Sequence, residues 1–150
     1  VIFFVEKPEK SAYQVASVNN VDSSTSVETS LEKENIMAIF ASTNSAEGAK
    51  IFKKCAACHS ITEGGANKIG PALWGILGRT AGSLPDYKYS KAMAAYSKNW
   101  SFEEMNGFLL KPKEWIKGTK MSFAGLKKAK DRAAVILYMN ENTNSPLPLQ

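Results

Sequence analysis

An all-α fold is predicted, and three observations predict it. Cap residues and apolar positions spaced for helices recur along the second part of the 150-residue chain, and nowhere is there a sustained strand-like alternation. Thirty consecutive residues, Ser60 to Tyr89, hold six glycines and two prolines and follow neither the helical nor the strand period. A loop of that length suits a compact domain only if something other than protein fills the core. Finally, every cysteine and histidine in the chain, Cys55, Cys58 and His59, falls within five positions.

Residues 1–44 read as a flexible acidic tether, with three lysines against six acids. From Ser11 to Ser30 the composition is Ser, Thr, Asn, Val and Glu, with no aromatic after Tyr13, too polar to offset the entropy of ordering. The apolar start, Val1 to Val5, is far short of the roughly 20 residues of a spanning helix. It reads either as the remnant of an export signal or signal anchor, or as an ordinary terminus. Glu34 to Phe40 is more apolar and predicts a turn of helix lying on the domain.

The domain is expected over residues 45–150. Ser45 is the predicted N-cap of its first helix, with Glu47 opposing the helix dipole and Ile51 and Phe52 forming an apolar face that runs into Cys55. After the irregular stretch, a helix is predicted near Ser90 to Tyr96. A second starts at Ser101 with Glu104 three residues on, the pattern of a capping box, and runs to about Leu110. A short turn follows at Pro112 to Ile116. In the last helix, Ala129 to Asn142, Ala134, Val135, Tyr138 and Met139 make one packing stripe.

Residues 45–150 carry sixteen basic and eight acidic side chains, and only Arg79 and Arg132 among all the basic residues are arginines. So few planar guanidinium forks speak against nucleic-acid recognition. A lysine-rich face is either a plain solvated surface or one that steers the protein toward acidic partners. The three clustered residues are too few for a four-ligand zinc site, and no second histidine exists to complete a nucleophile–histidine arrangement.

Cys55-Ala-Ala-Cys58-His59 is the attachment pattern of haem c. Two thiols three residues apart at a helix end reach the two vinyl groups of one porphyrin, and the adjacent imidazole turns under the iron. A thiol–disulfide exchange motif would instead open a helix after a strand, and a structural disulfide is the other alternative. With no second histidine, a sixth iron ligand must be a soft methionine, from Met37, Met93, Met105, Met121 and Met139. Met121 is favoured because Gly118 and Gly125 bracket a non-periodic loop able to cross the porphyrin; Met93 is next. The others sit in predicted helices or in the tether, where methionine is ordinary packing.

Residues 46–142 resemble the class I cytochromes c of the mitochondrial type and their soluble or membrane-anchored bacterial relatives. The resemblance rests on Gly48 to Phe52, Cys55 to His59, Gly70-Pro71-Ala-Leu73, Gly78-Arg79, Tyr87 to Tyr89, Trp100, Gly118 to Met121 and Phe123-Ala-Gly125, in the family's order. It implies the cytochrome c fold, three main helices with short helices and long loops around one covalent haem c. It further implies that the Pro71 carbonyl orients His59, that Arg79, Tyr89 and Trp100 bond the haem propionates, and that Phe123 contacts the haem. Gly48 and Phe52 would meet Val135 and Tyr138 where the first and last helices cross. Three residues depart from the family pattern: Phe108 lacks a hydroxyl near the methionine, Met93 replaces an asparagine, and Asn67 replaces a loop-tying histidine. A drier iron site and a looser loop are expected from them.

The function implied is one-electron transfer from a quinol-oxidising bc complex to a haem-copper terminal oxidase, by a periplasmic monomer that the tether could hold to the inner membrane. Lys54, Lys68, Lys113, Lys120, Lys127 and Lys128 flank the attachment and ligand segments and would steer docking on acidic partner surfaces. The competing readings are a haem enzyme or gas sensor with an open iron position and, less consistent with the arginine count, a nucleic-acid-binding protein.

Overall fold

A computed structural model describes residues 36–149. Residues 1–35, most of the expected tether with its apolar start, lie outside the described residues. Six helices follow in order: α1 (Ile36–Phe40), α2 (Ser45–Ala56), α3 (Lys91–Tyr96), α4 (Phe102–Leu110), α5 (Pro112–Trp115) and α6 (Ala129–Glu141). No strand occurs among the described residues; an isolated bridge joins Thr80 to Asn99.

The helix expected within Glu34 to Phe40 packs on the domain that follows it. Ile36 is fully buried, and the Phe40 ring meets the edge of Phe102 at 5.1 Å between centroids. Their i, i+4 spacing puts both on one side of α1, which packs on α6 and α4. Asn44, rather than Ser45, caps α2: its side-chain oxygen accepts from Glu47 N at 2.9 Å from an extended backbone.

The capping box of α4 is half formed. Ser101 Oγ accepts from the Glu104 amide at 3.1 Å as expected. The Glu104 carboxylate, however, takes Tyr96 OH at 2.5 Å and Trp115 Nε1 at 3.0 Å, so it ties α3 and α5 to α4 instead of reaching back to the cap. Burial, with the bond to Glu104 adding to it, pushes the Tyr96 phenol up to about 12.

α6 is central. The sequence predicts one apolar stripe on it, yet Arg132 to Leu137, Met139 and Asn140 are all buried, because α1, α2 and α4 each pack against it. At the crossing with α2, a Cβ on Gly48 would sit 2.0 Å from Ala134 O. Only glycine permits that approach. Phe52 and Tyr138 meet beside it at 5.4 Å between ring centroids.

Residues 57–89 contain no helix, as expected. The stretch is hung on its neighbours: Gly75 N donates to Asn142 O, Gly78 N to Trp100 O, and Trp100 N to Arg79 O, all within 2.9 Å.

Candidate functional site

The irregular stretch and the helices enclose a cavity of about 430 Å³. Cys55 and Cys58, not bridged to each other, line it from the C-terminal turn of α2 and the residues after it. The turn continues the helix, with Cys58 N and His59 N both donating to Cys55 O at 3.0 Å. Burial and the neighbouring Cys58 push the Cys55 thiol up to about 11, against a smaller opposing effect of Lys54.

His59 is held from two sides. Its Nδ1–H donates to Pro71 O at 2.8 Å, and a Cβ on Gly70 would lie 2.2 Å from the ring's Cε1, so glycine is required there. Burial holds the imidazole below its ordinary range, with the Pro71 bond opposing. The Nε2 edge, left without a partner among the described residues, is free to bind a metal.

All nine residues expected to contact the cofactor, Cys55, Cys58, His59, Pro71, Arg79, Tyr89, Trp100, Met121 and Phe123, line this one cavity. Arg79 donates to Ala72 O at 2.7 Å and to Trp74 O at 3.3 Å, and its burial lowers the guanidinium pKa. The Tyr89 hydroxyl accepts from Leu84 N at 3.2 Å. Trp100 is 5% exposed and its indole N–H has no partner among the described residues. A buried orphan donor next to a cation on an otherwise apolar wall suits an acidic group on whatever fills the cavity.

Four methionines reach the cavity: Met93, Met105, Met121 and Met139; Met37 does not. Met105 and Met139 are buried in α4 and α6, and Met93 sits on α3, whereas Met121 is on the non-helical segment between α5 and α6. Of the six lysines expected to dock partners, Lys54 and Lys120 line the cavity; Lys68, Lys113, Lys127 and Lys128 are exposed but do not. Lys68 does approach the attachment turn, donating to Ala56 O at 3.1 Å.

Asn67 corrects the expectation of a looser loop. Its side chain accepts from Ala72 N at 2.8 Å and donates to Asp86 O at 3.2 Å, tying the segment from both amide atoms. Phe108 and Met93 line the cavity with no hydroxyl or amide side chain at either place, as their types dictate. Residues that sequence reasoning did not single out complete the wall: Ile69 and Ile76, apolar groups without a motif to mark them.

The Cytochrome c family profile matches residues 45–143. The chain belongs to the cytochrome c family. A cytochrome c homolog of Rickettsia bellii is 47% identical over 105 residues, 70% of this chain and 61% of that protein. The chain thus spans about three fifths of the length of that relative. Cytochrome c of Nigella damascena is 46% identical over 101 residues, 67% of this chain and 91% of that protein. Among solved structures, cytochrome cH from Methylobacterium extorquens superposes with a TM-score of 0.62 at 32% identity, covering 65% of this chain and 98% of its own.

The family carries haem c on two cysteines, and the chain binds it covalently through Cys55 and Cys58. The site fits that group: two thiols, an imidazole with a free Nε2, a cavity of about 430 Å³ and an unpartnered indole N–H belong to a single pocket.

Proposed function

We propose that the chain is a one-electron carrier, not an enzyme, whose haem iron is held by His59 and Met121. One observation carries this reading: Met121 reaches the cysteine–histidine cavity from a segment outside the helices, whereas the other three methionines there are helix residues. When bound, the haem supplies an iron that changes oxidation state by one electron. The chain's own part is to fix His59 through Pro71 and Gly70, to offer Trp100, Arg79 and Tyr89 to the propionates, and to line the cavity with Phe123 and other apolar groups that exclude water. His/Met coordination raises the potential relative to more basic ligand pairs, cytochromes c being the established instance.

Were His59 and Met121 both to hold the iron, no substrate would reach it, which favours a carrier over an enzyme or gas sensor. Ile69, 75% exposed at the cavity mouth, together with Lys54 and Lys120, makes a small apolar contact point rimmed by positive charge. Lys68, bonded to Ala56 O beside the attachment turn, extends that charge, and the exposed Lys113, Lys127 and Lys128 would add to it in docking. Such a surface suits brief docking on acidic faces of a quinol-oxidising bc complex and a haem-copper oxidase. Thioether attachment and such partners support a periplasmic location for a monomer, which the acidic tether over residues 1–44 could hold to the inner membrane; no described helix is long and apolar enough to cross a membrane.

The test is the near-infrared absorption of the ferric protein. Methionine sulfur on ferric haem gives a weak band there, expected in the wild type and absent in Met121→Ala. A band that survives the substitution, or shifts its dependence to Met93, contradicts the assignment.

A further inference from the structure

The segment that carries Met121 is held by its ends. Ser122 to Gly125 make no hydrogen bond to any other described residue, so no hydrogen bond within that stretch fixes where it lies. Ahead of it, Thr119 is buried and donates its N–H to Ile116 O at 3.1 Å, its hydroxyl accepts from Met121 N at 3.4 Å, and Lys120 Nζ donates to Lys88 O. Behind it, Leu126 N donates to Leu109 O at 2.8 Å. A Cβ on Gly125, at φ +112°, would lie 2.1 Å from Leu110 O, so the chain crosses the end of α4 without slack.

The rear end is also gripped by a side chain. Arg132, in the first turn of α6, is 1% exposed, the most completely buried charged residue described. Its Nε donates to Asn106 Oδ1 on α4 at 2.7 Å, and its Nη1 donates to both Leu126 O and Lys127 O at 2.9 Å. One rigid guanidinium therefore joins α4, α6 and the point where the segment ends. A lysine cannot serve both directions, because its donors radiate from one nitrogen. Bonds from a charged donor in a buried place are among the stronger ones, and a carbonyl stripped of its partner there is costly.

We propose that Arg132 is a positioning residue for the iron ligand: by clamping Leu126 and Lys127 it limits how far the segment can swing Met121 from the metal. This rests on the reading of Met121 as that ligand.

The experiment measures imidazole binding to the ferric holoprotein, which requires displacement of the methionine and is followed by loss of the near-infrared band. Arg132→Met keeps an apolar side chain of similar length without donors, and is expected to bind imidazole about tenfold more tightly or better. Ile36→Ala is the control: it loses core packing on α1 but leaves the donors of Arg132 in place, and is expected to bind imidazole as wild type does, although its urea midpoint falls. If both variants tighten imidazole binding equally, Arg132 is merely structural and the proposal is overturned. If Arg132→Met does not fold, Asn106→Ala decides: roughly threefold tighter binding supports the clamp, and an unchanged affinity overturns it. A wild type that lacks the band and binds imidazole as tightly as Met121→Ala shows instead that the ligand assignment has failed, and the proposal falls with it.

Discussion

His59 has almost no freedom to turn, since Pro71 O takes its Nδ1–H and Gly70 leaves no room on the other side. Gly70→Ala would drive a methyl carbon to within 2.2 Å of the ring, so the visible spectrum of the holoprotein is expected to change as His59 is pushed from the position proposed for an iron ligand. Tyr96 gives a second test at this scale. Its phenol is raised from 10.0 to about 12, chiefly by burial, so the folded state retains the proton over an interval in which the unfolded chain loses it. Stability from this group is therefore fully present below pH 10 and falls as pH rises from 10 to about 12. Tyr96→Phe is expected to cost about 1 kcal/mol at neutral pH and to flatten that alkaline decline in a urea-melt series. The cysteine–histidine motif was legible from sequence because covalent attachment demands its spacing. Arg132 with Asn106 was not: two residues 26 apart that meet only in the fold leave no local pattern.

At the scale of elements, the helices were legible wherever local chemistry decides them. Ser101 caps α4 as its sequence context predicts, and Ser90 caps α3 where a helix was expected to begin. Asn44 displaced Ser45 because two good cap residues are adjacent and sequence alone does not rank them. Glu104 left its capping box because Tyr96 and Trp115 offer two donors that become neighbours only after α3, α4 and α5 have packed. The single stripe expected on α6 reflects a helix lying on one core, whereas α6 is wrapped by three helices. Two substitutions test this packing. Gly48→Ala, with its Cβ 2.0 Å from Ala134 O, must push α2 from α6 and is expected to cost about 3 kcal/mol by urea denaturation. Phe40→Ala, removing the ring packed on Phe102, is expected to cost about 3 kcal/mol, showing that α1 belongs to the folded domain.

Over the whole molecule, the charge asymmetry and the haem chemistry converge. The basic residues concentrate after residue 44, and two of the lysines stand at the mouth of the cavity, so oxidation by an acidic partner should slow steeply as salt rises. Lys54→Glu is expected to slow that association several-fold at low salt while leaving the near-infrared band unchanged, as stopped-flow mixing would measure. Closure of the iron by His59 and Met121 is the premise on which the carrier reading depends. It is tested most directly by adding carbon monoxide to the ferrous wild type and to Met121→Ala. A closed site predicts that the wild-type spectrum stays unchanged while the variant binds the gas; ready binding by the wild type would contradict closure and point to an enzyme or sensor.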